Sequence, residues 1–334
     1  MVHFERNPNN PIIVPGQLPW RQAAVFNPAV LYDNGEYFLY ERAAVGLRPF
    51  QCHIGLLKSS DGVNFTHVSD QPVLTGAMIG YPHASLQDPR VVKIDGLVYL
   101  IYAMRPYANN CNPTGVGLPE YSKATYPGWD GDQSKNVTRS AIAVSEDGVH
   151  FRHLGYTTPE GLDDRDNILF PEKIQGRFAL LRRPQPTAGH PSKPSMWLSY
   201  SQDLLSWSEP ELLAKPEYDW EGGKIGGSTP PLRTEKGWLV LYHGVDKHDV
   251  YRVGAMLLDL ENPAKILART AQPIMEPQEY YERFGLVLPN VIFPTGNIIK
   301  DGILSVYYGC CDTCIGLATI PVQEILRELG ACRT

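Results

Sequence analysis

The chain of 334 residues has no uninterrupted apolar run of about 18 residues, the length a membrane-spanning helix needs. Its opening stretch, MVHFERNPNNPIIVPG, lacks the apolar centre of a secretory signal, so a cytoplasmic protein without a membrane partner is expected. Positive charge is short as well: 30 Lys and Arg stand against 36 Asp and Glu, for a formal net charge of -6. That balance argues against nucleic acid, which selects basic faces. Cysteine is sparse, with six residues, too few for a disulfide scaffold of this size. The tight group Cys310, Cys311 and Cys314 sits in an apolar run without a second ligand pair at zinc spacing. Buried reduced thiols, and no metal, are the expectation there. Convincing helical periodicity is confined to PVQEILRELG near the C-terminus.

What the chain does have is repetition. Five segments share one plan, a proline followed by a Gly-containing turn and an apolar, aromatic-rich run. They read FNPAVLYDNGEYFLYERAA, QDPRVVKIDGLVYLIYAMR, LFPEKIQGRFALLRRP, STPPLRTEKGWLVLYHGV and IFPTGNIIKDGILSVYYGCCD. Their prolines, Pro28, Pro89, Pro171, Pro230 and Pro294, are separated by 61, 82, 59 and 64 residues. The turns are Asn34-Gly35, Asp95-Gly96, Gln175-Gly176, Lys236-Gly237 and Asp301-Gly302. Asn-Gly and Asp-Gly between alternating apolar residues are the strongest short-range hairpin signals. A second element recurs between the segments: Asp61, Asp147 and Asp203 each precede an aromatic, Phe65, Phe151 or Trp207, by four residues. It marks the turn into an outer strand.

Two hairpins in roughly 60 residues, repeated five times, predict an all-β, five-bladed β-propeller with a short C-terminal helix. A β-sandwich also yields many short strands, but it has no reason to repeat one composite motif. The whole chain, 1–334, is expected to form a single propeller domain. The excess in the 82-residue interval, about 106–138, is rich in Gly, Pro, Asn and Tyr and is expected at the rim as a functional loop.

In a propeller the innermost strands converge on one end of the central channel, so polar residues at equivalent repeat positions meet there. The residues at or before the repeat prolines are Asn27, Asp88, Phe170, Thr229 and Phe293. Those ending the following runs are Arg42, Arg105, Arg183, His243 and Asp312. Asp88, in Gln-Asp-Pro-Arg, either caps a turn or faces the channel as a general acid, and its repeat position favours the acid. Asp312 either holds the closing blade or hydrogen-bonds sugar hydroxyls. Arg165, Arg183, Lys224 and His243 form a basic set in an acidic protein. Buried cations need an anion, either channel carboxylates such as Asp88 or a bound one, and Arg forks match phosphate oxygens. Trp238 and Tyr242, beside His243, are core or sugar-stacking residues.

The stretches FNPAV, DPRV, LFPEKIQGRFALLRRP, KIGGSTPPLRTEKGWLVLYHGV, YRVGAMLLDLENPAKILART, NVIFPTG and YYGCCDTCIGLA run through nearly the whole chain. Together they resemble glycoside hydrolase family 130, β-mannoside phosphorylases and related β-mannosidases on a five-bladed propeller. The resemblance implies inverting cleavage of β-mannosides, mannobiose or manno-oligosaccharides, to α-mannose 1-phosphate. Inorganic phosphate would be the co-substrate, with no other cofactor. It also implies that Asp88 is the acid, acting through the sugar's 3-hydroxyl, and that Asn27, Arg42 and Asp312 hold the mannosyl unit. Arg165, Arg183, Lys224 and His243 would bind phosphate. Two departures stand out: Gln87 occupies a position acidic in many members, and further aspartates crowd Arg165.

The chemistry is coherent. An inverting hydrolase needs a carboxylate base to deprotonate water, whereas phosphate arrives as an anion and needs only a cationic pocket. A hydrolytic β-mannosidase would need a second carboxylate, for which Glu41, Glu172 and Asp312 are candidates. A non-catalytic carbohydrate-binding propeller has no use for cations beside an acid. Linkage, acceptor sugar and oligomeric state stay open, a homo-oligomer being one option.

Overall fold

The structure, a computed structural model, describes residues 2–47, 49–108, 132–187 and 190–331. A two-residue strand, β1 (Glu5–Arg6), precedes five antiparallel sheets arranged as the blades of a propeller. Blade one holds β2 (Ala24–Asp33), β3 (Glu36–Ala44), β4 (Cys52–Ser59) and β5 (Thr66–His67). Blade two holds β6 (Ser85–Ile94), β7 (Leu97–Arg105), β8 (Arg139–Ser145) and β9 (Arg152–Tyr156). Blade three holds β10 (Asp164–Leu169), β11 (Phe178–Pro184), β12 (Met196–Ser201) and β13 (Glu211–Ala214). Blade four has its inner strand in two pieces, β14 (Lys224–Gly227) and β15 (Leu232–Thr234), followed by β16 (Gly237–Val245), β17 (Tyr251–Leu258) and β18 (Ile266–Arg269). Blade five holds β19 (Ile292–Lys300), β20 (Ile303–Cys310) and β21 (Cys314–Pro321), and β1 completes it by pairing Glu5 with Thr319 and Arg6 with Ala318. The ring is thus closed by the N-terminal strand.

The inner hairpins turn as their sequences demand. Asn34, Asp95, Gln175 and Asp301 have φ between 49 and 52, and the glycine after each is also left-handed. Two successive positive φ angles make the type I′ turn that matches strand twist. The fourth blade departs from the expected Lys236-Gly237 turn. There Thr234 pairs with Gly237, so Glu235 and Lys236 make the turn. Gly237 lies within the strand at φ 144, where a Cβ would sit 2.4 Å from the Leu258 carbonyl oxygen.

The recurring aspartates make the outer turns. Asp61 Oδ1 accepts from the backbone N–H groups of Val63 and Asn64, and Asp147 and Asp203 repeat the pattern. Asp259 does the same in blade four without the downstream aromatic.

Each seam between blades carries its own apolar core, and this explains the near-continuous apolar runs. In β7, Val98, Leu100, Tyr102 and Met104 pack against blade one, while Tyr99 and Ile101 pack against blade three. In β16, Leu239 and Leu241 face blade five, and Trp238, Val240 and Tyr242 face blade three. Successive strand side chains point to opposite faces, so a strand buried on both has no polar alternation. Trp238 and Tyr242 are therefore core residues. Two helices complete the described chain: α1 (Tyr280–Arg283), and α2 (Val322–Ala331), whose Ile325, Leu326 and Leu329 bury into the seam between blades four and five.

Candidate active site

The inner strands of blades one to three share a β-bulge. The pairing of β2 with β3 slips between Phe26 and Ala29, that of β6 with β7 between Gln87 and Arg90, and that of β10 with β11 between Arg165 and Ile168. The first extra residue is left-handed in each case: Asn27 at φ 46, Asp88 at 49 and Asp166 at 51. Asn and Asp tolerate this region better than other side chains. A bulge re-aims its side chain, and here Asn27, Asp88 and Asp166 all line one cavity at the channel mouth.

The third member corrects the sequence expectation. The repeat proline places Phe170 at that position. The stretch from bulge to turn is longer in this blade, and Phe170 instead packs edge-on against Trp238 in the core. Thr229 is buried and accepts a hydrogen bond from Asn297, while Phe293 does line the cavity.

The cavity, of about 250 Å³, is lined by every residue singled out for the site: Asn27, Arg42, Asp88, Arg165, Arg183, Lys224, His243 and Asp312. Two donors converge on one oxygen of Asp88, Asn27 Nδ2 at 2.7 Å and Arg42 Nη1 at 2.7 Å. Burial pushes this carboxyl up, but Arg42, Arg90 and the Asn27 hydrogen bond outweigh it and hold Asp88 below the usual carboxylate range. Asp312 has the opposite balance. Burial, reinforced by Asp88 and only partly offset by Arg42 and Lys224, pushes it up to about 6.

The basic set divides on inspection. Arg183 donates Nε to Asp166 at 2.5 Å. Among the described residues its terminal nitrogens have no partner. Lys224 Nζ donates to the Tyr251 hydroxyl at 2.8 Å and meets no carboxylate within ion-pair distance among the described residues. Burial and the neighbouring Arg183 lower its pKa to about 8. Burial likewise drives His243 down to about 3 despite Asp166, with Arg183, Lys224 and Arg90 assisting, so the imidazole is neutral. Arg165 is more committed: Nε and Nη2 both reach Asp163 at 2.8 Å. Arg105 adds a further cation whose buried Nε has no partner among the described residues. It closes β7 where the long segment begins, of which residues 109–131 lie outside the described residues.

Three polar residues in or beneath the cavity escaped the sequence reading. Asp166 was hidden by the longer hairpin. Tyr251, the first residue of β17, carried a weak signal in its polar Tyr-Arg start. Arg90, two residues after Asp88, is buried beneath the cavity: it donates to the carbonyls of Ser228 and Asp88 and pairs with Asp166. Of the carboxylates considered as a hydrolytic base, Glu41 is buried against Arg21 and Glu172 pairs with Arg233 at the surface. Asp312 alone of the three lies in the cavity.

A five-bladed propeller that sets a carboxylate and a cation cluster at one channel mouth is the framework of a glycoside-cleaving enzyme. The family profile described as beta-1,4-mannooligosaccharide phosphorylase matches residues 6–118 and 120–330. The 1,2-beta-oligomannan phosphorylase of Thermoanaerobacter sp. (strain X514) is 35% identical over 332 residues, 97% of this chain and 99% of the relative. The beta-1,4-mannooligosaccharide phosphorylase of Ruminococcus albus is 36% identical over 334 residues, 95% of this chain and 88% of the relative. Among solved structures, a beta-1,2-mannobiose phosphorylase from Listeria innocua, in complex with beta-1,2-mannobiose, superposes with a TM-score of 0.80 at 24% identity. That match covers 98% of this chain and 99% of the other. The chain belongs to glycoside hydrolase family 130.

Proposed function

We propose that the protein is an inverting β-mannoside phosphorylase, taking mannobiose or manno-oligosaccharides and inorganic phosphate to α-mannose 1-phosphate and a shortened sugar. The observation that carries this reading is a pair of cavity cations with donors to spare: the Arg183 terminal nitrogens, without a partner among the described residues, and Lys224, which meets only the Tyr251 hydroxyl there. A guanidinium fork and an ammonium suit phosphate oxygens. Relatives at 34–36% identity carry phosphorylase names and divide between β-1,2 and β-1,4 linkages.

In this mechanism Asn27, Arg42 and Asp312 hold the mannosyl ring, and Arg183, Lys224, His243 and Arg165 hold phosphate on the face opposite the leaving group. A phosphate oxygen forms a bond to the anomeric carbon as the bond to the leaving oxygen breaks. Asp88 supplies the proton to that oxygen, through the sugar's 3-hydroxyl. In the free protein Asp88 is ionised, held low against burial by Arg42, Arg90 and Asn27. A sugar that draws those two donors to its own hydroxyls releases the carboxyl, and burial then raises it toward an acid's range. The net proton comes from hydrogen phosphate and leaves on the acceptor hydroxyl.

One feature bears on setting. The four described cysteines are free and buried, Cys310 facing Cys314 across paired strands without a bond, which fits a reducing cytoplasm. No helix among the described residues is long and apolar enough to cross a membrane. Neither nucleic acid nor membrane enters the proposal.

The test is incubation with β-1,2- and β-1,4-mannobiose, with and without phosphate, assayed for mannose 1-phosphate. Product that depends on phosphate supports the reading. Free mannose released regardless of phosphate would overturn it in favour of a hydrolase using Asp312, whose pKa near 6 suits a base.

A further inference from the structure

Asp166 occupies in blade three the bulge position that Asp88 occupies in blade two, yet its surroundings give it different work. Its side chain is 3% exposed against 19% for Asp88. Both of its oxygens are committed to cations: Oδ2 accepts from Arg183 Nε at 2.5 Å, and Oδ1 faces Arg90 Nη2 at 3.3 Å. His243 Nε2 lies 3.7 Å from the same Oδ2. We propose that Asp166 is a positioning residue which grips Arg183 by Nε and so turns the two terminal nitrogens of that guanidinium into the cavity as the phosphate fork. The inference rests on the phosphorylase reading and extends it to a residue that does not itself touch phosphate.

A guanidinium has five N–H donors in a rigid plane, so fixing Nε fixes the direction of the other four. The aliphatic part is fixed as well. Gly226 of β14 passes so close that a Cβ there would lie 2.6 Å from Arg183 Cδ, 2.6 Å from His243 Cε1 and 2.9 Å from Asp166 Oδ2. The group is caged between a backbone strand and a carboxylate. Arg90 ties this arrangement to the acid half of the site. It holds Asp166 through Nη2 and the Asp88 carbonyl through Nη1, at 2.8 Å. Arg165, the neighbour of Asp166, has its own holder in Asp163, so each cavity arginine of blade three is aimed by a separate aspartate.

The sign of one measurement separates positioning from simple charge. A buried carboxylate near a bound anion repels it, so on charge alone Asp166→Asn should bind phosphate more tightly. Positioning demands the reverse, because asparagine leaves the fork free to swing. Titration calorimetry of the full-length protein with inorganic phosphate, without sugar, reads this directly. The expected result is a phosphate Kd raised about 10- to 100-fold in Asp166→Asn, the scale on which misplacement of a positioning group acts. The KM for mannobiose should stay within about twofold. Arg183→Lys, which keeps the charge but lacks the gripped Nε–H and the fork, should weaken phosphate similarly, and adding Asp166→Asn to it should cost little more. Should Asp166→Asn fail to fold, Arg183→Lys carries the test, and unchanged phosphate affinity in it overturns the inference. Unchanged or tighter binding in a folded Asp166→Asn does the same. Wild-type protein that does not bind phosphate at all brings down the phosphorylase reading, and the inference with it.

Discussion

Arg42 of the first blade donates to Asp88 of the second at 2.7 Å, and the oxygen it reaches is the one that Asn27 also reaches. Among the described residues the other carboxylate oxygen of Asp88 has no partner, which leaves one face of the group for substrate. Asp166, by contrast, has both oxygens engaged, by Arg183 and by Arg90. Replacing Asp88 by Asn keeps the left-handed backbone acceptable, and removes the titratable proton together with the negative charge that faces Arg42 and Arg90. Turnover in Asp88→Asn should fall about 10²- to 10⁴-fold, the contribution of general acid catalysis, with circular dichroism unchanged and Tm lowered because Arg42 loses its charge partner. Phosphorolysis near the wild-type rate would remove Asp88 as the acid.

The Lys224 ammonium predicts a pH dependence. Burial and Arg183 lower its pKa to about 8, so it is cationic below that pH and neutral above it. Phosphate is already largely the dianion by then, and its own titration cannot cause a loss of affinity there. The KM for phosphate should therefore rise as pH passes through about 8, while the KM for sugar stays level. In Lys224→Ala the affinity should be low throughout and this alkaline limb should vanish. His243→Ala should weaken phosphate without changing the limb, because His243 is already neutral across that range. A limb that persists in Lys224→Ala assigns the titration to another group.

Gly309 is a third point of leverage, remote in sequence from the residue it affects. A Cβ at 309 would fall 1.9 Å from Asn27 Oδ1 and 2.8 Å from its backbone nitrogen. Gly309→Ala must displace Asn27 and with it one of the two donors on Asp88. Activity should drop about 10- to 100-fold, as expected when a positioning group moves by about an ångström. The hairpin of β19 and β20 should survive, since Gly309 is not left-handed. Wild-type turnover in Gly309→Ala would mean that Asn27 has no part in holding the site.

The contrast between Asp88 and Asp166 shows where the sequence could be read and where it could not. Asp88 was legible because its blade keeps the spacing of blade one: Asn27 stands eight residues before Gly35, as Asp88 does before Gly96. In blade three the corresponding distance, Asp166 to Gly176, is two residues longer, and the proline that looked equivalent lies beyond the bulge. Hairpin existence follows from local turn chemistry and survives such changes. Bulge position depends on pairing with the neighbouring strand, which local sequence does not encode. Closure by Glu5 and Arg6 was invisible for a related reason: a two-residue strand has no periodicity to detect. Arg90 and Tyr251 became site residues only because neighbouring blades bring distant segments to one mouth.

Asp312 links the site to the stability of the whole chain. Its carboxyl is pushed up to about 6, chiefly by burial and then by Asp88, against about 3.9 in an unfolded chain. Between those values the native state holds the proton more firmly than the unfolded state does. Stability from this group is therefore greatest below the unfolded value and declines as pH rises through about 6. At neutral pH the folded protein carries an ionised group that burial disfavours. Asp312→Asn removes that charge, and asparagine accepts the left-handed φ of 51 found there. Thermal melts should show Tm raised by roughly a few degrees at pH 7 but little changed near pH 4. Turnover should fall at the same time, because the carboxylate is lost as an acceptor for the sugar. A variant that gains no stability at neutral pH would show that Asp312 is solvated well enough to ionise freely. One that gains stability and keeps full activity would show that the sugar does not depend on Asp312.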